Sequence, residues 1–181
     1  QDIEVCRAVR DAFGNDMVLT FDPWGTYCTY EEALKVGRAL EELNFYWYEH
    51  PMPEYRVGAY EKLTAELDIP ILSPEVASGS LYTRADWIHR GASDMSRTDV
   101  PRGGITGVKK MVSVCEAYGV KCEIHMAGFA NLQILAATSE DTCEYYERGL
   151  LAPGVDYDTP QPYLEAICDP MDEDGYVHVP Q

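Results

Sequence analysis

Apolar positions along the chain follow two alternating spacings. Apolar residues three or four positions apart predict helices over 3–13, 30–44, 55–67, 82–90 and 107–118. Short runs of apolar, β-branched and aromatic residues between them predict strands over 17–21, 45–48, 69–72, 92–97 and 120–124. Thr29 with Glu32 matches a capping box, and Gly119 stands where a helix C-cap is expected. Strands that alternate with helices favour an α/β fold with a parallel sheet.

A residue with a reactive side chain follows each predicted strand. In chain order these residues are Asp22, Glu49, Glu75, Asp99 and His125. Their spacing of 24 to 27 residues matches one strand and one helix each. The pattern predicts a (β/α)8 TIM-type barrel, whose functional residues lie at the C-terminal ends of the strands. Strands of such a barrel are buried on both faces, so we expect Val18-Leu19 and Ile71-Leu72 to be buried.

Composition and charge narrow the classes of protein. Apolar residues make up 46% of the 181 positions, which is enough for a folded, soluble domain. The net charge of −17 repels nucleic-acid phosphates and anionic headgroups, and no apolar run reaches the roughly 20 residues of a membrane-spanning helix. Six scattered cysteines form no CxxC pair, so we expect buried free thiols and a reducing, cytoplasmic compartment.

Three carboxylates from consecutive strands indicate a cation site. Asp22, Glu49 and Glu75 would converge at one end of the barrel and repel each other unless a cation lay among them. Oxygen ligands without thiolates favour Mg²⁺ or Mn²⁺ over zinc.

His125 and Asp99 indicate a general base. Asp99, on the adjacent strand, can accept the ring N–H of His125, which fixes the tautomer and raises the basicity of the ring. The alternative for Asp99 is a cap for the following turn. A cation opposite such a pair suits abstraction of a proton next to a carboxylate, with the cation stabilising the enediolate.

Seven segments resemble the mandelate racemase branch of the mandelate racemase and muconate lactonizing enzyme family, in the enolase superfamily. They read L-T-F-D, W-Y-E-H-P, S-P-E, S-R-T-D-V-P-R-G-G-I-T-G, E-I-H-M, N-L-Q-I-L-A-A-T and Y-Y-E-R. The resemblance implies Mg²⁺ bound by Asp22, Glu49 and Glu75, with His125 as base, Asp99 as its partner and Glu147 as an acid that hydrogen-bonds the substrate carboxylate.

The resemblance also implies the extent of the domain and its activity. Residues 1–181 correspond to a partial barrel, roughly strands three to eight, without the N-terminal capping domain and the first two strands. We therefore expect the intact parent to be active and this portion alone to be inactive. A small-molecule carboxylate, most plausibly an acid sugar, is the expected substrate, and a homo-oligomer is the expected assembly.

Several alternatives stay open at this stage. The leading activity is a sugar-acid dehydratase; a racemase, epimerase or cycloisomerase would use the same base, and a non-catalytic acidic binding domain would bind no divalent cation tightly. A metal-dependent hydrolase is disfavoured because its site usually has several histidines. Trp24 and His50 are candidate substrate contacts, against packing at the rim for Trp24 and a supporting position for His50. Glu144 is the alternative to Glu147.

Overall fold

The described part of the chain contains six helices and four short strands, and after the first helix the helices and strands alternate. The computed structural model describes residues 1–78, 80–126, 128–148, 160, 164–167 and 169–179. The helices are α1 (Asp2–Phe13), α2 (Tyr30–Glu42), α3 (Val57–Glu66), α4 (Ser80–Arg90), α5 (Val100–Tyr118) and α6 (Phe129–Ala136). The strands are β1 (Tyr48–Glu49), β2 (Ile71–Leu72), β3 (Met95–Thr98) and β4 (Lys121–Ile124).

The strands form one parallel sheet in the order of the chain. β1 pairs with β2, β2 with β3 and β3 with β4, and helices connect successive strands. Parallel bridges from Phe21 to Tyr48 and from Ile124 to Tyr146 add one extended segment at each side. Six parallel segments therefore lie side by side, which confirms the expected α/β fold as part of a (β/α)8 barrel.

Burial of the strands follows their place in the sheet. Ile71 and Leu72 in the interior of the sheet are fully buried, as predicted. The prediction for Val18 is wrong, because its side chain is 54% exposed. The hydrogen bonds of this segment run to the β1 side, where Leu19 O accepts from Tyr46 N, so Val18 lies at an edge of the described sheet.

Local signals at the helix ends are confirmed. The Thr29 hydroxyl accepts from Glu32 N while the Glu32 carboxylate accepts from Thr29 N, which completes the capping box of α2. Gly119 ends α5 with a φ of 68° and a ψ of 30°, a left-handed conformation that glycine adopts without steric cost. α5 begins at Val100, earlier than predicted, because Asp99 caps it and a non-helical Gly104 joins two helical pieces.

The cysteines are free, but they are not all buried. Cys6, Cys115, Cys122 and Cys143 are buried thiols, whereas Cys28 is exposed, so the expectation of burial is wrong there. Cys168 lies outside the described residues. In the part of the chain that the structure describes, each helix is too short or too polar to cross a bilayer.

We expect Thr29→Ala to lower the free energy of unfolding by about 1 kcal/mol, because the backbone N–H of Glu32 in the first turn of α2 loses the hydroxyl that accepts its hydrogen bond. Thr29→Ser keeps the hydroxyl and is the matched control. Urea denaturation of both variants measures the difference, and an equal loss in the two would show that the cap contributes nothing.

Candidate active site

Three carboxylates converge at the C-terminal end of the sheet. Asp22 follows the segment bridged to β1, Glu49 ends β1, and Glu75 lies three residues beyond β2. One oxygen of each lies within 4.8 Å of the others. Glu49 and Glu75 are buried, and Asp22 is exposed. The convergence predicted from the strand ends is therefore present.

The electrostatics of this cluster favour a cation. Burial raises the pKa of Glu49 to about 7, and the charges of Asp22 and Glu75 add to the rise while Arg97 opposes it. Burial also raises the pKa of Asp22, against the hydrogen bond from Trp24 N. Glu49 Oε1 is buried, makes no hydrogen bond within the described residues and lies 2.7 Å from Arg97 Nε, so one guanidinium offsets only part of the negative charge of the three carboxylates. The all-oxygen donor set fits Mg²⁺.

Two histidines balance the charge of Glu75. His125 Nε2 lies 3.0 Å from Glu75 Oε1, and His50 Nδ1 lies 3.1 Å from Oε2. Burial disfavours the Glu75 carboxylate, but the hydrogen bonds from the two histidines outweigh burial and lower its pKa. Burial likewise disfavours protonated His125, yet its bonds to Asp99 and Glu75 raise its pKa to about 9. In this arrangement His125 carries a proton at neutral pH.

Asp99 fills both roles that the sequence left open. Its Oδ1 accepts from Arg102 N and caps α5, while its Oδ2 lies 2.9 Å from His125 Nδ1. The Arg102 guanidinium also bonds Oδ2 and lies 3.0 Å from His125 Nδ1. The pKa of Asp99 is lowered, since these hydrogen bonds outweigh its burial. The carboxylate is thus fixed on the side of His125 away from Glu75.

His50 lies behind the carboxylate cluster. Its ring is buried between Glu75 and Glu54, whose Oε1 is 3.8 Å from Nε2. A Cβ on Gly25 would lie 2.9 Å from His50 Nε2, so only glycine allows this close approach. Glu54 in turn accepts from the backbone N–H groups of Glu75 and Val76. This position suits orientation of Glu75 more than contact with a substrate.

Trp24 has the opposite environment. Its side chain is 71% exposed, and its backbone N–H donates to Asp22 Oδ1 at 2.7 Å. Packing under the rim, the alternative role, does not fit that exposure. Trp24, His50 and Met126 all have positive φ values, of 51°, 39° and 63°, within two residues of a predicted site residue. Such strained backbone in residues other than glycine is concentrated at functional sites in proteins.

Glu147 and not Glu144 lies beside the carboxylates. Glu147 Oε2 accepts from Arg97 Nη2 at 2.5 Å and from Met126 N at 2.6 Å. Glu144 instead pairs with Lys121 Nζ at 2.6 Å and bonds the Tyr46 hydroxyl. The role of Glu147 as an acid stays a prediction.

Sequence reasoning missed a second layer of residues. A cavity of about 300 Å³ is lined by Asp22, Glu49 and Glu147 and by the residues two positions before five of the site residues: Thr20, Trp47, Arg97, Glu123 and Tyr145. Side chains two apart on a strand point the same way, so this alternation was the available signal. Arg102 and Glu54, also missed, lie beyond strand ends and had no comparable signal.

Fold and site together define a (β/α)-barrel domain with a cluster of three carboxylates facing a His–Asp pair. The chain belongs to the enolase C-terminal domain-like family, whose model matches residues 1–181.

Comparisons with known proteins give relatives that are dehydratases and a relative that is a cycloisomerase. A crystal structure of D-glucarate dehydratase from Agrobacterium tumefaciens complexed with magnesium is 46% identical, with a TM-score of 0.93 over 99% of this chain and 46% of that chain. L-talarate/galactarate dehydratase of Salmonella typhimurium is 32% identical over 152 residues, 81% of this chain and 37% of the relative. D-galactarolactone cycloisomerase of Agrobacterium fabrum is 28% identical over 99% of this chain and 49% of the relative. The chain thus spans less than half the length of these relatives.

We expect Glu75→Gln and Asp22→Asn to abolish stabilisation by a divalent cation, because each removes one charged ligand. At a cation concentration 100 times the dissociation constant, one site raises the free energy of unfolding by about 2.7 kcal/mol. Denaturation with and without Mg²⁺ measures this gain, and Glu116→Gln on the exposed face of α5 is the control. Equal Mg²⁺ stabilisation in all the variants would place the cation elsewhere.

Proposed function

We propose that the protein containing this chain is a Mg²⁺-dependent acid-sugar dehydratase of the mandelate racemase type. The observation that carries this proposal is the cluster of Asp22, Glu49 and Glu75 facing the His125–Asp99 pair. The residues of the chain would supply the ligands and the base. The segments that the relatives have beyond the matched region would complete the enzyme, so we expect residues 1–181 alone to be inactive.

The proposed reaction begins with removal of a proton. His125 Nε2 takes the proton from the carbon next to the substrate carboxylate, and the C–H electron pair moves into the carboxylate to give an enediolate. The enediolate then expels the β-hydroxyl group, which leaves as water after receiving a proton. The resulting enol tautomerises to a 2-keto-3-deoxy acid. Asp22, Glu49 and Glu75 would hold Mg²⁺, whose positive charge would stabilise the enediolate.

The charge state of His125 links the cation to the base. Hydrogen bonds to Asp99 and Glu75 outweigh the burial of His125 and raise its pKa to about 9. A divalent cation on Glu75 would offset the negative charge that favours this proton. His125 would then be free to act as a base near neutral pH, with Asp99 still fixing its tautomer.

The names of the relatives support a sugar diacid as the substrate. Two of them are named for glucarate or for talarate and galactarate, all sugar diacids, and one is 46% identical. A racemase, epimerase or cycloisomerase is the second candidate, because the cycloisomerase relative matches 99% of the chain and the N-succinyl-L-Arg/Lys racemase of Bacillus cereus matches 68%. A non-catalytic acidic binding domain is the remaining alternative.

The setting of the enzyme is part of the proposal. We propose a cytoplasmic homo-oligomer whose partner is a small-molecule sugar acid. Free thiols at the five described cysteines support a reducing compartment. The assembly rests on the family resemblance alone.

A panel of aldonic and aldaric acids in D₂O with Mg²⁺ tests the reaction class on the full-length protein. We expect a 2-keto product from one sugar diacid. Exchange of the α-proton without a keto product would instead indicate the racemase, epimerase or cycloisomerase class. Absence of both signals together with absence of Mg²⁺ binding would contradict catalysis and favour the acidic binding domain.

We expect His125→Asn to lose turnover by a factor of about 10³ while it retains Mg²⁺ binding, since general bases contribute about 10²–10⁴-fold. Steady-state kinetics and Mg²⁺ calorimetry measure the two effects. His89→Asn on the exposed side of α4 is the matched control. Turnover by His125→Asn at the wild-type rate would remove His125 as the base.

A further inference from the structure

Arg97 belongs to the second layer of residues, which precede the site residues by two positions. It is the third residue of β3, its side chain is 4% exposed, and it precedes Asp99 by two positions. Carboxylates crowd the cavity that it lines, with Glu49, Glu123 and Glu147 among the lining residues. No other cationic side chain among the described residues lines that cavity.

The guanidinium of Arg97 joins three parts of the sheet. Its Nε lies 2.7 Å from Glu49 Oε1 at the end of β1, in a charge contact without hydrogen-bond geometry. Its Nη2 donates to Glu147 Oε2 at 2.5 Å, and its Nη1 donates to Ile124 O at 3.5 Å on β4. One rigid group therefore sets the distance between a cation ligand and the candidate acid.

We propose that Arg97 is a positioning residue that holds Glu147 in a fixed place relative to the cation ligand Glu49. This inference rests on the proposed function, in which Glu147 contacts the substrate carboxylate. Arg97 and Met126 N occupy Glu147 Oε2, so Oε1 is the oxygen that remains for a substrate. Arg97 acts through Glu147 and needs no contact with the substrate itself.

Arginine suits this role better than lysine. A planar guanidinium presents several donors in a fixed fork and can face two carboxylates at once, whereas an ammonium is a point charge on a flexible stem. The carboxylates of Glu49 and Glu147 belong to different segments of the sheet and would repel each other without the Arg97 guanidinium between them. Arg97→Lys thus keeps the positive charge but removes the planar fork of donors that faces two carboxylates at once.

The competing explanation is a buried ion pair that serves folding only. Buried ion pairs are weak evidence of stabilisation, so the test separates catalysis from stability. A folding role would lower stability and leave the kinetic constants of the folded enzyme unchanged. A positioning role would lower kcat in a way that depends on Glu147.

The test uses the full-length protein with the acid identified from the panel, in four forms: wild type, Arg97→Lys, Glu147→Gln and the double variant. We expect Arg97→Lys to lower kcat about 100-fold, because a displacement of about 1 Å in a site costs that much. KM and the Mg²⁺ dissociation constant from calorimetry should stay within about threefold, since the charge is retained. The double variant should be no slower than Glu147→Gln, because residues that act as a unit are non-additive.

Control variants keep the outcome interpretable. Arg90→Lys alters an exposed pair with Glu61 and should leave the kinetic constants unchanged. Arg97→Gln, planar and neutral, replaces Arg97→Lys if the latter does not fold, and carries the same expected loss of kcat.

Three results would overturn the positioning role: wild-type kcat in Arg97→Lys, losses that multiply in the double variant, or a raised KM with unchanged kcat, which would place Arg97 on the substrate. A wild-type protein that turns over no sugar acid would instead overturn the proposed function, and this inference with it.

Discussion

The convergence of negative charge at one end of the sheet is the constraint on which the site depends. Parallel strands end at the same edge, so the residues after them must meet, and three of those residues are carboxylates within 4.8 Å of one another. Histidine and arginine side chains from several elements face these carboxylates. His125 and His50 face the two oxygens of Glu75, and Arg97 faces Glu49. A divalent cation would complete this balance, because one oxygen of each of the three carboxylates lies within 4.8 Å of the others.

The order of the elements could be predicted from the sequence because each one carries its own local signal. Helix-spaced apolar residues, a capping box at Thr29 and a glycine cap at Gly119 all depend on neighbours within a few positions. Strand bounds were less predictable: 45–48 was expected where the structure has Tyr48–Glu49. Exposure of Val18 depends on what lies at the edge of the sheet, and no local pattern contains that information.

The site residues at the strand ends could be predicted because their place in the fold follows from the order of the strands. Each residue lies at the C-terminal end of a strand or bridged segment or within three residues beyond it, so the chain order of strands and the rule for barrels placed Asp22, Glu49, Glu75, Asp99 and His125 together. The second layer follows an equally simple rule, because side chains two positions apart on a strand point the same way. Arg97, however, had no feature in the sequence that set it apart from other strand residues. The environment of His50 was not predictable, because its ring contacts Glu75 and lies against Gly25, and both are distant from it along the chain.

The two nitrogens of His125 have different tasks because different charges face them. Nδ1 and Arg102 both lie against Asp99 Oδ2, and a proton on Nδ1 is held there by the carboxylate. Nε2 faces Glu75, so its proton depends on how much negative charge Glu75 presents. Any cation that binds Glu75 therefore changes the affinity of Nε2 for a proton while Nδ1 keeps its own. The proposed cation ligand Glu75 and the proposed base His125 lie in direct contact, so cation binding and base strength would be linked through this one carboxylate.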